Sequence, residues 1–263
     1  VFSNLASLLR YRGLIQALVA RELKARYRGS VLGFVWSFVN PLLLLSIYSF
    51  VFTTIMRNEV PETKPFAVFL FCGLLPWTWF SASLVEATSS LISGGNLIKK
   101  VLFPAEVLPI VSVLANMVHF FLGLLILAAF MILFQHYPDV GGLPWFLVVV
   151  AVQLVFTLGL AFALSALTVH FRDVRDLLTN VLTLWFFATP IIYPYFMPSV
   201  SRFLTLFRLN PFYHLAVSYQ EILFFGQFGH TRSLLLLAAL SVVVFLGGYW
   251  LFDRLRDSFA EAV

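Results

Sequence analysis

Residues 171–226 read FRDVRDLLTNVLTLWFFATPIIYPYFMPSVSRFLTLFRLNPFYHLAVSYQEILFFG. Four charges alternate at the start, in Arg172, Asp173, Arg175 and Asp176, between two long apolar runs. The apolar run that follows is broken by Pro190, Pro194 and Pro198, and then come two hydrophobic pieces separated by Asn210-Pro211. Fourteen aromatic residues fall between Trp185 and Phe228, nearly twice the density of the whole chain. Proline-broken backbone at membrane depth is tolerated only where protein or a water-filled cavity surrounds it. The stretch therefore reads as part of a pathway.

The rest of the chain supports a membrane setting. Of 263 residues, 61% are apolar and 11% charged, and the mean hydropathy is +0.95, whereas a soluble domain carries about 25% charged residues. The single cysteine, Cys72, excludes an internal disulfide. No apolar h-region leads the arginine-rich first thirty residues, so no cleavable signal peptide is expected. A crossing helix needs about 20 apolar residues. Segments at about 32–56, 66–92, 107–134, 143–169, 177–196 and 233–252 meet that length. The chain is thus expected to be an all-α polytopic membrane protein with six transmembrane helices. Twelve basic residues then fall on one side and Arg57, Lys64, Arg202, Arg208 and Arg232 on the other. The positive-inside rule puts both termini in the cytoplasm of a multi-pass plasma (inner) membrane protein.

Two shorter features flank these spans. Across 10–30, Ile15, Val19, Leu23 and Tyr27 recur every four residues, opposite Arg21, Lys24 and Arg28. That pattern predicts an amphipathic helix in the cytoplasmic interface. Within 199–230, the pieces 203–209 and 212–225 reach only roughly 10 and 21 Å as helices, too short for a core of about 30 Å. They are expected to form a re-entrant pair of half-helices on the outer side, turning at Asn210-Pro211.

Chemistry-bearing motifs are scarce. No lysine follows a glycine, so a Walker phosphate loop is absent. His119, His136, His170, His214 and His230 share no metal-ligand spacing, and no nucleophile motif occurs. No catalytic residue, metal or nucleic-acid partner is expected. Glu86, His119 and Glu221 are ionisable groups in apolar segments and would suit a proton relay in an ion-coupled carrier. The aromatic residues offer another reading. Phe34, Phe38, Tyr48 and Phe52 fall within about an 80° arc of a helix, and Trp185, Phe186, Phe187, Tyr193, Tyr195 and Phe196 cluster beyond. Rings with few charges would let a sugar chain slide through weak, repeated contacts.

Four stretches resemble, in order, the permease subunits of type-2 ABC transporters that export polysaccharides such as O-antigen, capsule and teichoic acid. They are RELKARYRGSVLG at 21–33 running into Trp36 and Asn40-Pro41, NLIKKVLFPAEVLP at 96–109, FRDVRD at 171–176 with TPIIYP at 189–194, and LNPF at 209–212 with the tail FDRL at 252–255. The resemblance implies a homodimer working with two separate ATP-binding subunits, which hold the ATP and Mg, and a lipid-linked polysaccharide moved outward across the membrane. It implies that the N-terminal helix, with Glu22 and Arg26, and a coupling loop at 94–106, with Asn96, Leu97, Lys99, Lys100, Phe103 and Pro104, contact the ATPase. It makes Phe34, Phe38, Tyr48, Phe52, Trp185, Phe186, Tyr193, Tyr195 and Phe196 a glycan path. Arg172, Asp173, Arg175 and Asp176 would alternate as ion pairs in a cytoplasmic gate, the alternative being a solvated turn whose charges only fix topology, and the resemblance makes Asn210, Pro211, Phe212, Tyr219 and Glu221 an outer gate. The alternatives are an ABC exporter of a drug or lipid, an ion-coupled secondary transporter, and a membrane-embedded glycosyltransferase.

Overall fold

The computed structural model describes residues 11–55, 61–99, 103–197, 200 and 202–259. Among the described residues every regular element is helical. Helix α1 is Arg12–Arg26; a 3-10 turn, Gly33–Val35, leads into α2, Trp36–Ser49, which continues as a π turn, Phe50–Ile55. Then come α3 (Phe66–Ser93), the short α4 (Gly95–Ile98), α5 (Val107–Leu133), α6 (Leu143–His170) and α7 (Val174–Phe187). A one-turn α8 (Leu204–Phe207) precedes α9 (Pro211–Gln220), its π extension Glu221–Phe225, and α10 (Thr231–Leu255).

The core forms around α3, which is apolar on all sides and buried accordingly. Every residue from Phe66 to Trp77 is buried. Pro76 inside this helix removes a backbone donor, and Gln153 of α6 donates to the Pro76 carbonyl at 2.8 Å. Helix α9 lies against α3 in the opposite direction. Phe212 packs on Trp77 and Phe80 with ring centroids 4.9 and 4.8 Å apart, Gln220 lies over Gly73, and Phe224 meets Phe69 at 5.5 Å. A Cβ on Gly73 would sit 3.0 Å from Gln220 Nε2.

Among the described residues, four helices are long and apolar enough to cross a membrane: Phe66–Ser93, Val107–Leu133, Val140–His170 and Thr231–Ser258. The expected spans at 32–56 and 177–196 are not single helices of that length. The first is divided into 3-10, α and π pieces around Pro41. The second stops at Phe187 after 14 residues, about 21 Å. Pro190 is the cause, because it disfavours the helical region for Thr189 before it.

Helices α6 and α10 pack most closely. A Cβ on Gly248 would lie 2.0 Å from the Gly159 carbonyl oxygen, and one on Gly159 would lie 2.6 Å from Phe245 Cα. Small residues at such a crossing bring the backbones together, which is how helices associate where water supplies no driving force. At the ends of α3, α5, α6 and α10 that meet near the 94–106 loop, a second cluster forms from Leu91, Ala105, Leu108, Phe162, Tyr249, Phe252 and Phe259. Glu106 is buried there and accepts from Arg256 at 3.1 Å, while Ser258 Oγ lies 3.1 Å from His170 Nε2.

Candidate functional site

Helix α7 is attached by a narrow seam. It buries only Leu178, Leu182 and Phe186, spaced one helical turn apart, and leaves Asp176, Thr179, Asn180, Thr183, Leu184 and Phe187 exposed. A helix facing lipid would present an unbroken apolar surface, because polar groups are costly in hydrocarbon. The face carrying Thr179 and Thr183 points instead into a groove. That groove, about 630 Å³, lies between α7, α3 and α2. Helix α3 lines it with two adjoining rows at four-residue spacing, Trp77-Ser81-Val85 and Thr78-Ala82-Glu86; α2 adds Leu44 and Tyr48.

The groove's threonine hydroxyls are already committed as donors. Thr179 donates to the Arg175 carbonyl at 3.0 Å, Thr183 to that of Thr179 at 3.0 Å, and Thr78 to that of Leu75 at 2.8 Å. Each oxygen keeps acceptor capacity toward the groove. The lining is therefore aromatic and acceptor-rich, and its carboxylate, Glu86, is neutralised by an ion pair with Arg26.

A second cavity of about 530 Å³ lies on the other side of α2, and the two share Leu44, Leu74, Thr78 and Ala82. Arg26, Tyr27, Ser37, Asn40, Asn116 and His119 supply its polar lining. Helix α1 leads into it. The packed face of α1 is Leu14, Ile15, Leu18 and Val19, with Leu18 against Val107 and Val111 of α5. The expected stripe through Leu23 and Tyr27 is thus only half the buried face, because α1 runs along α5 and buries protein-facing residues at three- as well as four-residue spacing. Arg21, Lys24 and Arg28 are exposed, as the pattern predicts.

Residues 13–224 match the ABC-2 type transporter family. The chain belongs to the ABC-2 type transporter family. It is similar to the O-antigen export system permease protein RfbA of Myxococcus xanthus, 43% identical over 258 residues and 97% of each chain. A Klebsiella pneumoniae protein of the same name is 31% identical over 94% of each chain. The polysialic acid transport protein KpsM of Escherichia coli is 26% identical over 92% of this chain and 93% of its own.

The expected site residues of this ABC-2 type chain separate into several places. Tyr48 and Phe186 line the groove. Phe34 lies beyond it, stacked edge-on against Tyr27 and Phe38, and the Phe52 side chain is outside the described residues. Trp185 is packed against Trp77 and Phe80, with its Nε1 donating to Asn210 Oδ1 at 2.6 Å. Tyr193 donates to the Phe187 carbonyl at 2.7 Å. Tyr195 and Phe196 line a separate cavity of about 380 Å³ with Glu62, Glu221 and Phe225. The groove residues that sequence reading missed are Thr78, Ser81, Thr179 and Thr183. The four-residue recurrence of Thr179, Thr183 and Phe187 was their signal.

The expected ion-paired gate is not formed. Among the described residues none of Arg172, Asp173, Arg175 and Asp176 makes a salt bridge, since all four side chains project into solvent at the start of α7. In the coupling loop Asn96 and Lys99 are exposed and border a small cleft with Arg172, whereas Leu97 and Phe103 pack on the second cluster. The Pro104 carbonyl accepts from Val107 N at 3.1 Å at the start of α5. Lys100 lies outside the described residues. Glu22 is half-buried, and Arg26 turns inward, away from the exposed basic face.

The expected outer gate is a packed unit. Phe212 and Tyr219 are fully buried, and Asn210 joins two helices. Its Oδ1 accepts from Phe212 N at 2.9 Å, capping α9 with Pro211 at the first helical position. Its Nδ2 donates to the Ala188 carbonyl and to Thr189 Oγ1 at 3.1 and 2.9 Å. Glu221 accepts from His230 Nδ1 at 2.6 Å and Gly229 N at 2.9 Å. Burial pushes the Glu221 carboxyl up, but these hydrogen bonds outweigh it and hold the group below its ordinary value. The contemplated relay through Glu86, His119 and Glu221 has no continuous path. Glu221 closes its own turn near the Phe69 end of α3, and Glu86 lies some 25 Å further along that helix at 1.5 Å per residue.

Proposed function

We propose that this chain is the membrane subunit of an ATP-driven exporter that moves a lipid-linked polysaccharide outward across the plasma membrane. The observation that carries this reading is the unburied face of α7, where Thr179 and Thr183 offer acceptors beside Tyr48, Phe186 and Phe187. Sugar hydroxyls donate to such oxygens, and sugar C–H faces rest on rings, without any charge to arrest the chain. The names of the related proteins, which specify O-antigen and polysialic acid, agree with it.

In this reading two copies face each other across α2 and α7, completing a channel from two grooves. Two separate ATP-binding subunits, carrying ATP and Mg, dock on the cytoplasmic side against the exposed Asn96, Lys99 and the basic face of α1. Both termini lie in the cytoplasm. Helix α2 with its π turn, and α7 with the segment to 197, act as the two remaining crossings, which makes six. Residues 199–230 form the outer re-entrant gate, with α9 rising beside α3.

The test is export of polymer to the cell surface by the complex with its ATPase. A Thr179→Leu/Thr183→Leu double substitution should leave assembly intact and lower surface polymer on the order of tenfold, the effect of about 1.4 kcal/mol on a barrier. Undiminished export would remove the groove from the pathway.

A further inference from the structure

We infer that Arg26 is a positioning residue, whose ion pair with Glu86 couples the docking of α1 to the charge exposed in the groove. The inference rests on the proposed exporter function, because it says how ATPase-driven movement of α1 would reach the pathway.

The geometry is a closed triangle across three helices. Arg26 is the last residue of α1. Its Nη1 donates to Asn116 Oδ1 of α5 at 3.0 Å and its Nη2 to Glu86 Oε2 of α3. Asn116 Nδ2 donates to the same Glu86 oxygen at 2.7 Å and to the Ser112 carbonyl at 2.9 Å. The next residue, Tyr27, shares a hydrogen bond with Ser37 of α2, and its ring lies edge-on to His119 of α5. The end of α1 is thereby fastened to α2, α3 and α5 at once.

Glu86 is also a groove residue, on the α3 face opposite Thr179 and Leu182 of α7. One carboxylate therefore belongs to both places. With α1 docked, Arg26 cancels its charge. If α1 lifts from α5, Glu86 keeps only Asn116 and becomes an uncompensated anion on the groove wall. Losing the guanidinium leaves that carboxylate short of a partner in a partly dehydrated site, which favours the docked arrangement. The rest of α1 is held through its packed face of Leu14, Ile15, Leu18 and Val19, so the ion pair adds to an apolar contact with α5. A planar guanidinium with two forks is suited to this task in a way that a lysine ammonium is not.

The experiment uses the whole complex with its ATPase in proteoliposomes. It reads export, and it reads disulfide crosslinking between Leu18→Cys and Val111→Cys as a measure of α1 docking. Arg26→Glu and Glu86→Arg should each lower export about tenfold and crosslinking about threefold, and the Arg26→Glu/Glu86→Arg pair should restore both to within about twofold, as a double-mutant cycle requires. Should a charge reversal block assembly, Arg26→Lys and Arg26→Gln provide the same contrast. Lysine should retain more than about half of the crosslinking and glutamine less than about a fifth. A double reversal no better than its singles, or lysine and glutamine variants that behave alike, would overturn the linkage. Crosslinking needs no substrate. A wild-type complex whose crosslink responds to ATP but which exports no polysaccharide would refute the functional reading and leave the linkage standing.

Discussion

Helices α6 and α10 are packed backbone to backbone, and α2 and α7 are not. In the first pair Gly248 sits so close to the Gly159 carbonyl that a methyl group has no room. In the second, α7 buries three side chains and α2 buries Ser37 and Leu45. Both pairs expose apolar residues, but of different kinds. The outward face of α10 is Leu235, Leu236, Val242, Val243 and Leu246, apolar throughout and suited to lipid. The outward face of α7 interleaves Thr179, Asn180 and Thr183 with leucine and phenylalanine. The difference separates a frame from a wall. The frame is fixed by close packing, and the wall is held by a thin seam beside the groove.

The largest expected effect lies in the frame. Gly248→Val places a side chain 2.0 Å from a backbone oxygen that cannot swing aside, so its cost should exceed the roughly 1–3 kcal/mol of ordinary overpacking and reach about 4–5 kcal/mol. The yield of monodisperse protein and its melting temperature should fall sharply. Gly247→Ala, one residue away with open space around it, should leave both unchanged; an equal loss in the two variants would break the distinction.

A smaller loss is expected where frame meets wall. Asn210→Ala removes the cap of α9 and leaves Trp185 Nε1 without its acceptor. Together these should cost about 2–4 kcal/mol, read as a lower melting temperature. An unchanged melting temperature would mean that α7 and α9 are joined by other contacts.

The smallest stability effect is expected in the groove itself. Phe187→Ala removes a ring that lines the cavity and is 59% exposed. Stability should change by no more than about 1 kcal/mol while export falls several-fold. A large drop in melting temperature would turn that ring into a packing residue.

Much of this division was legible in the sequence. Long apolar runs at 66–92, 107–134, 143–169 and 233–252 locate the four long helices to within a few residues, because length and hydropathy dominate there. The Asn210-Pro211 pair announces a helix start through its capping chemistry. The run at 177–196 misled because apolar count ignores what Pro190 does to the residue before it. The charged turn at 172–176 suggested ion pairs that alternation alone does not create, since adjacent side chains at a helix start diverge into solvent. Aromatic richness pointed to the right region but not to the right rings. Trp185 and Phe212 serve the core, and the neighbours that face the groove are distinguished by tertiary contact. Nothing local in the sequence joins Arg26 to Glu86 or Glu106 to Arg256, as each pair is brought together by helices distant in the chain.

If α7 walls an aqueous path and α10 faces lipid, water reaches the two helices unequally. Cysteine labelling in intact complexes tests it directly, with Cys72 buried in α3 and so silent. A membrane-impermeant, charged thiol reagent should modify Thr183→Cys at least about tenfold faster than Val243→Cys, because a thiolate forms readily only where water reaches it. Equal rates at the two positions, or faster labelling at Val243→Cys, would place both helices in one environment or reverse their roles.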